Sequence, residues 1–260
     1  MAKKQKFQKR TKATNVPEFT ENTRAMSELG HIGLKSHQGI IKEDFHRELN
    51  FPQASRTYKN MTYDSTISSA ITMLKAIARG AKWEVLPSES GTDEAKIKHI
   101  QQCMDDMDKG WNSYVSEILG GILTYGYNLN EKVFKRRKGF TMKSRKKSSK
   151  YDDGRIGWAT LPSRAHHSIN RWLYKDRDLI GVQQNVGSND DTINTGKVFI
   201  NIPIQKLLHF RHNPEYDNPE GSSPLKNCFI PWTYKTSIEE YEAVGISRDL
   251  AGMPVKIIAA

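Results

Sequence analysis

One segment of the sequence has the apolar spacing of a single amphipathic helix, and it constrains the fold more than any other feature. Its apolar residues recur at positions i, i+3, i+4, i+7, i+8, i+11 and i+12, which places them on one helical face. They are Trp111, Tyr114, Val115, Ile118, Leu119, Ile122 and Leu123. Gly120 and Gly121 interrupt the stripe, and they permit close packing against a neighbouring segment. The chain is therefore expected to pack other elements around this helix.

Three further segments predict helices. The first has apolar residues three and four apart, a capping aspartate before it and a glycine just beyond it: Asp64, Ile67, Ile71, Leu74, Ile77 and Gly80. The second opens at Thr92 and Asp93 and places Ile97, Ile100, Met104 and Met107 on one face. In the third, Ser222 or Ser223 before Pro224 predicts a helix start, and the helix reaches about Ile246, roughly 35 Å at 1.5 Å per residue. Pro231 predicts a kink in it.

Short strand patterns alternate with these helices. Residues 82–86 alternate polar and apolar side chains and stop at Pro87. Residues 198–204 alternate in the same way, and Pro203 favours a strand at the edge of a sheet. Residues 124–134 and 207–210 also have β character. Helices mixed with short strands predict an α+β fold.

The positive charge is concentrated in two short segments. The chain has 40 Lys and Arg residues against 29 Asp and Glu, a net charge of +11. Residues 1–12 hold six basic residues and residues 132–150 hold ten, with no acidic residue in either segment, which leaves 24 basic against 29 acidic elsewhere. A groove-reading DNA-binding domain spreads Lys and Arg over a folded face. This distribution predicts instead a mildly acidic body, with a net charge of −5, that carries basic appendages.

Both appendages lie in segments with little periodicity. Residues 1–60 mix Lys, Asn, Thr, Gly and His, and we interpret them as an N-terminal arm that orders only against neighbours. Residues 132–150 either contact DNA phosphates or a partner surface, or form a solvated loop, and both interpretations stay open. The basic residues of this run are Lys132, Lys135, Arg136, Arg137, Lys138, Lys143, Arg145, Lys146, Lys147 and Lys150.

The sequence predicts no catalytic, cofactor or metal site. We identify no phosphate-binding glycine loop, no nucleophile elbow and no Cys–His pair in it. Zinc needs about four closely spaced ligands, whereas the candidate histidines fall in strands or loops without cysteine: His166, His167, His209 and His212. We interpret Cys103 and Cys228 as two buried free thiols.

Other polar and aromatic groups have a structural interpretation. Asp105, Asp106 and Asp108 end an amphipathic helix, where a solvated polar face is expected. Tryptophans interleaved with cations can stack on bases. Here they sit in apolar stretches, so core or interface packing is favoured for Trp111, Trp158, Trp172 and Trp232. No apolar run approaches the roughly 20 residues of a membrane span, and the basic N-terminus lacks the apolar stretch of a secretory signal.

Several short segments, taken in order, resemble the portal proteins of tailed bacteriophages. The longest similarity lies in residues 221–225, 231–235 and 239–254, which resemble the stem-helix region of that family. Residues 74–85 resemble its first helix and strand, residues 125–131 its aromatic–glycine turn into a strand, and residues 207–210 a short strand before the glycine loop. The resemblance covers about residues 65–256. Portal chains are normally longer, which implies that this sequence is the N-terminal portion of one.

The resemblance implies an architecture for the protomer. Residues 1–60 would be the arm, 61–110 a wing-like region, 111–130 the first stem helix and following strand, and 131–221 a β-rich clip with the basic loop. Residues 222–247 would be the second stem helix, and residues 248–260 would start a further wing or crown region. Aromatic side chains around the second stem helix imply a subunit interface, formed by Leu225, Phe229, Trp232, Tyr234, Ile238 and Tyr241.

The same resemblance implies a structural function without an enzymatic activity or cofactor. The chain would form a ring, usually a dodecamer, at one capsid vertex of the virion after assembly in the host cytoplasm. Double-stranded DNA would pass through the ring during packaging and ejection, and partners would be the terminase large subunit, the head–tail adaptor and the major capsid protein. The alternative, from the residues alone, is a monomeric nucleic-acid-binding or processing protein that uses residues 132–150.

Overall fold

The computed structural model describes residues 30, 32–87, 94–140, 147–175, 178–187 and 198–252. The chain divides into two compact units, residues 1–33 and 34–260. Of the first unit only Gly30, Ile32 and Gly33 are described. All elements below belong to the second unit.

Four of the five α-helices in the described residues form where the apolar spacing predicts them, and the helix over Gln53–Met61 was not predicted. The α-helices of the described residues are α1 (Gln53–Met61), α2 (Ser65–Arg79), α3 (Glu94–Asp105), α4 (Trp111–Tyr125) and α5 (Phe229–Ala251). Short 3₁₀ helices occupy Arg47–Leu49, His166–Ser168, Ile204–Lys206 and Pro224–Cys228. The predicted cap of α2 is confirmed, because the Asp64 carboxylate accepts from the backbone N–H groups of Thr66 and Ile67 at 2.9 and 3.2 Å.

The strands pair in small antiparallel sheets. They are β1 (Ser36–His37), β2 (Ile40–Ile41), β3 (Tyr127–Glu131), β4 (Val133–Arg136), β5 (Ile156–Thr160), β6 (Ile169–Lys175), β7 (Asp178–Asn185), β8 (Phe199–Pro203) and β9 (Leu207–Arg211). The ladders are β1–β2, β3–β9, β4–β5 and the three-stranded β6–β7–β8, in which β8 has the predicted edge position. Segregated helices and antiparallel sheets confirm the predicted α+β class.

A tight junction joins α4 to the C-terminal helical segment. Gly126 ends α4 with a φ of 88°, in the left-handed region, and donates its N–H to the Ile122 carbonyl at 2.9 Å. A Cβ at Gly126 would lie 2.7 Å from the Ser223 nitrogen, so only glycine fits. The Ser223 hydroxyl donates to the Thr124 carbonyl at 2.8 Å and accepts the Leu225 N–H at 3.1 Å. Ser223 is therefore both the predicted cap and the link to α4.

Three apolar clusters hold the second unit together. The first lies between the sheets and contains Ile41, Tyr127, Leu129, Ile169, Trp172, Val182, Ile202 and Leu207. The second joins the early helices to the C-terminal segment through Leu49, Ala54, Tyr58, Met61, Ile71, Leu225 and Phe229. The third packs α4 against the chain after β5 through Met107, Tyr114 and Leu161. The helix predicted from the clearest stripe, α4, thus contributes to a core as expected.

The structure shortens the predicted N-terminal arm. Residues 34–60, assigned to the arm from sequence, contain β1, β2 and most of α1, and they place Ile41, Leu49 and Tyr58 in the first two clusters. The prediction was wrong there because short β-bridges and single apolar residues leave no periodicity in the sequence. The basic residues of segment 1–12 lie outside the described residues, as do Thr92 and Asp93.

Two local predictions were also wrong. Residues 82–86 form no strand among the described residues, because no neighbour pairs with them, and Trp83 instead contacts the Trp111 ring edge-on at 6.2 Å. Pro231 lies in the first turn of α5, just after the change from 3₁₀ to α geometry at Phe229, and the kink there stays a prediction. Cys103 is buried as predicted, but Cys228 is exposed.

Candidate interaction surfaces

The basic run 132–150 is divided between the interior and the surface. From Val133 to Phe140 the side chains alternate: Lys135 and Arg137 are only 7% and 1% exposed, whereas Phe134, Arg136, Lys138 and Phe140 are exposed. This is the period of an extended chain, whose successive side chains point to opposite faces. Lys143, Arg145 and Lys146 lie outside the described residues.

Lys135 is neutralised inside the protein by Asp106. Its Nζ lies 3.1 Å from Asp106 Oδ2 and donates to the carbonyl oxygens of Asp106 and Ser148 at 2.5 and 2.7 Å. The Asp106 carboxylate also accepts from the Ser149 hydroxyl at 2.7 Å and the Lys150 N–H at 2.8 Å. Burial opposes ionisation of Asp106, yet these hydrogen bonds and the lysine charge together hold its pKa below the ordinary value. The predicted solvated face is therefore wrong for Asp106.

Arg137 is held by a second buried network. Its guanidinium donates to His99 Nδ1 at 3.0 Å and Gln102 Oε1 at 2.8 Å, and it lies 3.0 Å from Asp153 Oδ2. Its carbon Cζ also lies 4.2 Å from the centre of the Tyr151 ring. Lys135 and Arg137 are therefore paired inside the chain, and their contact with DNA or a partner stays a prediction that their burial does not favour.

Four predicted contact residues of the run remain on the surface without a buried partner. Arg136, Lys138 and Lys147 are exposed and Lys132 is half-buried. Lys150 is also exposed, but its Nζ pairs with Asp105 Oδ2 at 3.0 Å, and this hydrogen bond raises the pKa of Lys150. The surface-directed part of the described run is thus smaller than the ten residues predicted.

The structure brings a cysteine and a histidine together that sequence reasoning did not pair. Cys103 Sγ lies 3.6 Å from His99 Nε2 on adjacent turns of α3. Because a guanidinium can only donate, His99 Nδ1 accepts from Arg137, and the neutral imidazole carries its proton on Nε2 and donates to the Ile156 carbonyl at 3.1 Å. His99 is therefore not free to take a proton from the thiol, and the pair has a structural role.

Two of the candidate histidines, His166 and His209, lie within hydrogen-bond distance of backbone carbonyls. His166 Nε2 lies 2.8 Å from the Tyr127 carbonyl and His209 Nε2 lies 2.7 Å from the Pro219 carbonyl. Burial lowers the pKa of both imidazoles to about 4, so they are neutral near pH 7. His209 also stacks on Trp172 with ring centroids 5.3 Å apart. Each ring thus packs in the core, as does Trp172.

Helix α5 carries a large exposed apolar surface. Tyr234, Ile238 and Tyr241 are 68%, 57% and 78% exposed and fall on one helical face, because they are spaced by four and three residues. Val244, Ile246 and Leu250 extend the apolar surface toward the end of the helix, and every described side chain of residues 238–250 is exposed. A helix with this much exposed apolar surface is typical of an interaction site.

Two of the six predicted interface residues belong to the core. Leu225 and Phe229 are 5% and 8% exposed and pack in the second apolar cluster. Trp232 is half-buried beside Phe229, with ring centroids 6.3 Å apart. Leu225, in the preceding 3₁₀ helix, and Phe229, the first residue of α5, pack on the body of the same chain, so their place in a subunit interface stays a prediction that their burial does not favour.

These features define an α+β protein with an exposed apolar helix and with exposed basic and aromatic side chains on and just after β4. Within the described residues no helix is long and apolar enough to cross a membrane. The family described as "Portal protein of Mu bacteriophage" matches residues 55–258. The chain belongs to this family of phage portal proteins, which have a structural role. No curated protein matches it.

Proposed function

We propose that the chain assembles into a ring at one capsid vertex of the virion and forms a conduit for double-stranded DNA during packaging and ejection. The ring would hold twelve copies and serve as a docking platform for the terminase large subunit and the head–tail adaptor, in contact with the major capsid protein. Membership of the portal family supports this function. No catalytic step is part of it, so the energy for packaging comes from a separate ATPase.

The observation that carries the proposal is the exposed apolar face of α5. Tyr234, Ile238 and Tyr241 are mostly exposed, so their apolar area stays largely in water in a single chain, although the neighbouring Lys235 pairs with Asp64 of the body. Its burial against a neighbouring copy stabilises the assembly by roughly 25 cal/mol per Å² of apolar surface. A ring requires a heterologous contact, in which this face meets a different surface of the next copy. Met73, Leu74 and Ile77 on α2 are also exposed and apolar.

The charge distribution fits a conduit for DNA. Outside the two basic segments the chain has a net charge of −5. An acidic wall repels phosphates and allows the duplex to slide, whereas a wall rich in Lys and Arg binds phosphates strongly. The burial of Lys135 and Arg137 weakens the rival proposal of a monomer that grips nucleic acid through residues 132–150.

Protomer regions follow from the resemblance and the observed elements. We assign residues 61–110 to a wing and residues 111–130 and 222–247 to the stem. Residues 131–221, which hold β4 to β9, form a clip at the narrow end of the ring. The arm is confined to residues before Leu34, where the main unit begins.

Ring formation is tested with an Ile238→Glu variant. The charge would be desolvated in the interface, so the variant is expected to sediment as a roughly 30 kDa monomer while its circular dichroism stays close to wild type. Wild type is expected to sediment as an oligomer and to show rings by negative-stain electron microscopy. Ile238→Met keeps size and apolarity and should still form rings.

Two results count against the proposal. A monomeric wild-type protein at micromolar concentration contradicts ring formation by this chain. Normal rings from Ile238→Glu contradict the placement of α5 in the interface but leave the ring itself intact.

A further inference from the structure

One face of the β4–β5 ribbon combines exposed aromatic rings with unpaired cations. We call the set Phe134, Arg136, Lys138, Phe140, Lys147 and Ile156 the aromatic–basic face. Phe134 and Phe140 are 55% and 80% exposed, and Ile156, which pairs with Arg136 across the ladder, is 61% exposed. Arg136, Lys138 and Lys147 form no ion pair with any residue that the structure describes. These side chains are available to another molecule.

The opposite side of the same segment holds this face rigid. Lys135 and Arg137 are anchored to Asp106 and Asp153. Backbone hydrogen bonds continue the pairing beyond β4, from Arg137 N–H to Arg155 O at 2.9 Å and from Gly139 N–H to Tyr151 O at 3.0 Å. The anchored side chains of Lys135 and Arg137 keep Phe134 and Phe140 exposed on the opposite side. Exposed aromatic rings held in place in this way are typical of a preorganised interaction surface.

The face borders an open groove of suitable size and charge. The groove has a volume of about 710 Å³ and is lined by Phe134, Lys135, Arg136, Lys138, Gly139, Phe140 and Lys147. No carboxylate belongs to this lining. Phe140 comes six positions after Phe134, which limits their separation to at most roughly 20 Å, the length of a fully extended chain, and Gly139 bends the chain between them with a φ of 68°. The groove therefore selects for negative charge along its length and for apolar groups at two points.

We propose that the aromatic–basic face binds an acidic protein segment that also carries apolar side chains. The proposal rests on the docking role proposed above and gives the chemistry of the docked partner. Carboxylates of the segment pair with Arg136 and Lys138, and its apolar side chains cover Phe134 and Phe140. Aromatic residues and arginine are the residue types that contribute most at protein interfaces.

Charge complementarity alone also allows duplex DNA, but the two phenylalanines distinguish the partners. The outer surface of a duplex presents phosphates and sugars, while the apolar faces of its bases are stacked inside. Duplex DNA would offer these rings apolar contact only through thymine methyl groups in the major groove or by insertion between base steps, which requires the duplex to be kinked. A protein segment supplies both kinds of group, so it accounts for Phe134 and Phe140 as well as for the cations.

Defined peptides test the proposal on the full-length protein by fluorescence anisotropy. The probe is a labelled peptide of about 14 residues, long enough to span roughly 20 Å even as a helix, in which Glu residues surround two Trp residues. The matched peptide has Gln in place of Trp and the same charge. A labelled duplex of similar length is titrated in parallel at about 50 and 200 mM salt.

The Glu/Trp peptide is expected to bind at least about tenfold more tightly than the Glu/Gln peptide. The Phe134→Ser/Phe140→Ser variant should lose this difference, while Phe45→Ser, which changes a ring that is 96% exposed elsewhere, should keep it. Arg136→Ala/Lys138→Ala should weaken both peptides and reduce the salt dependence.

Three outcomes overturn the proposal. They are equal or undetectable binding of the two peptides, duplex binding that needs Arg136 and Lys138 but not the rings, and a change of oligomeric state caused by the phenylalanine substitutions themselves. The last result would assign the face to a second copy of the chain. Because the face lies within one protomer, peptide binding is measurable whether or not the chain assembles into rings. The peptide experiment therefore tests this proposal separately from ring assembly.

Discussion

Replacement of Asp106 by alanine is expected to lower the free energy of unfolding by about 3–5 kcal/mol, because it leaves the Lys135 ammonium buried without a counter-charge. Both side chains are almost fully buried, at 4% exposure for Lys135 and 3% for Asp106. The substitution also removes the acceptor of the Ser149 hydroxyl and the Lys150 N–H. Denaturant titration followed by circular dichroism measures the change.

Two further variants separate the buried charge from other effects. Asp105→Ala removes a neighbouring carboxylate that is exposed and paired with Lys150, and should change stability by less than about 1 kcal/mol. The double variant Asp106→Ala/Lys135→Met removes both charges and should recover much of the loss. If Asp106→Ala is as stable as wild type, Lys135 is not held as the contacts indicate.

The helices were predictable because their signals are local. The cap at Asp64, the stripe of α4 and the Ser223–Pro224 start each depend on residues within a few positions of one another. The strand pairings of β3 with β9 and the packing of residues 34–60 depend on residues far apart in sequence. Nothing in a single sequence specifies those contacts, so the arm was predicted too long.

The candidate surfaces were predictable in kind but not in membership. The density of cations in residues 132–150 is visible in the sequence, but Lys135 and Arg136 are chemically alike there. Only the fold, which brings Asp106 and Asp153 beneath the segment, separates buried cations from exposed ones. Phe134, Arg136, Lys138 and Phe140 are spaced two residues apart, so an extended chain places all four side chains on one face. That alternation within the basic run is the sequence signal that could have identified the face.

Glu220 gives the fold a pH dependence on the alkaline side of neutrality. The residue is 8% exposed and accepts the Trp172 Nε1–H at 3.0 Å. Burial raises the pKa of its carboxyl group to about 8, although the Trp172 hydrogen bond acts in the opposite direction and the nearby Asp44 charge raises it further. Near neutral pH the folded chain therefore holds a proton on Glu220 that the unfolded chain has released.

The acid side depends on His166 and His209, whose pKa values are lowered to about 4. In the folded chain both imidazoles stay neutral down to about pH 4, whereas in the unfolded chain they are protonated below about pH 6.5. Their contribution to stability is therefore lost as pH falls from about 6.5 toward 4. Glu220 changes stability in the opposite direction over part of that range. Above about pH 7.5 these two histidines no longer change the stability, and among the described groups with a shifted pKa Glu220 still titrates there.

The free energy of unfolding is therefore expected to fall by about 1 kcal/mol between pH 7.5 and pH 9, since each pH unit below the folded pKa is worth about 1.4 kcal/mol and the slope levels off above that pKa. Unfolding releases the Glu220 proton in this window, and a released proton makes unfolding more favourable as pH rises. In Glu220→Gln the amide oxygen can still accept from Trp172 but cannot ionise, so the slope should disappear. Glu215→Gln changes an exposed glutamate of the same loop and should keep the wild-type slope. Urea titrations of the three proteins across this range measure the slopes, and an unchanged slope in Glu220→Gln would assign the titration to another group.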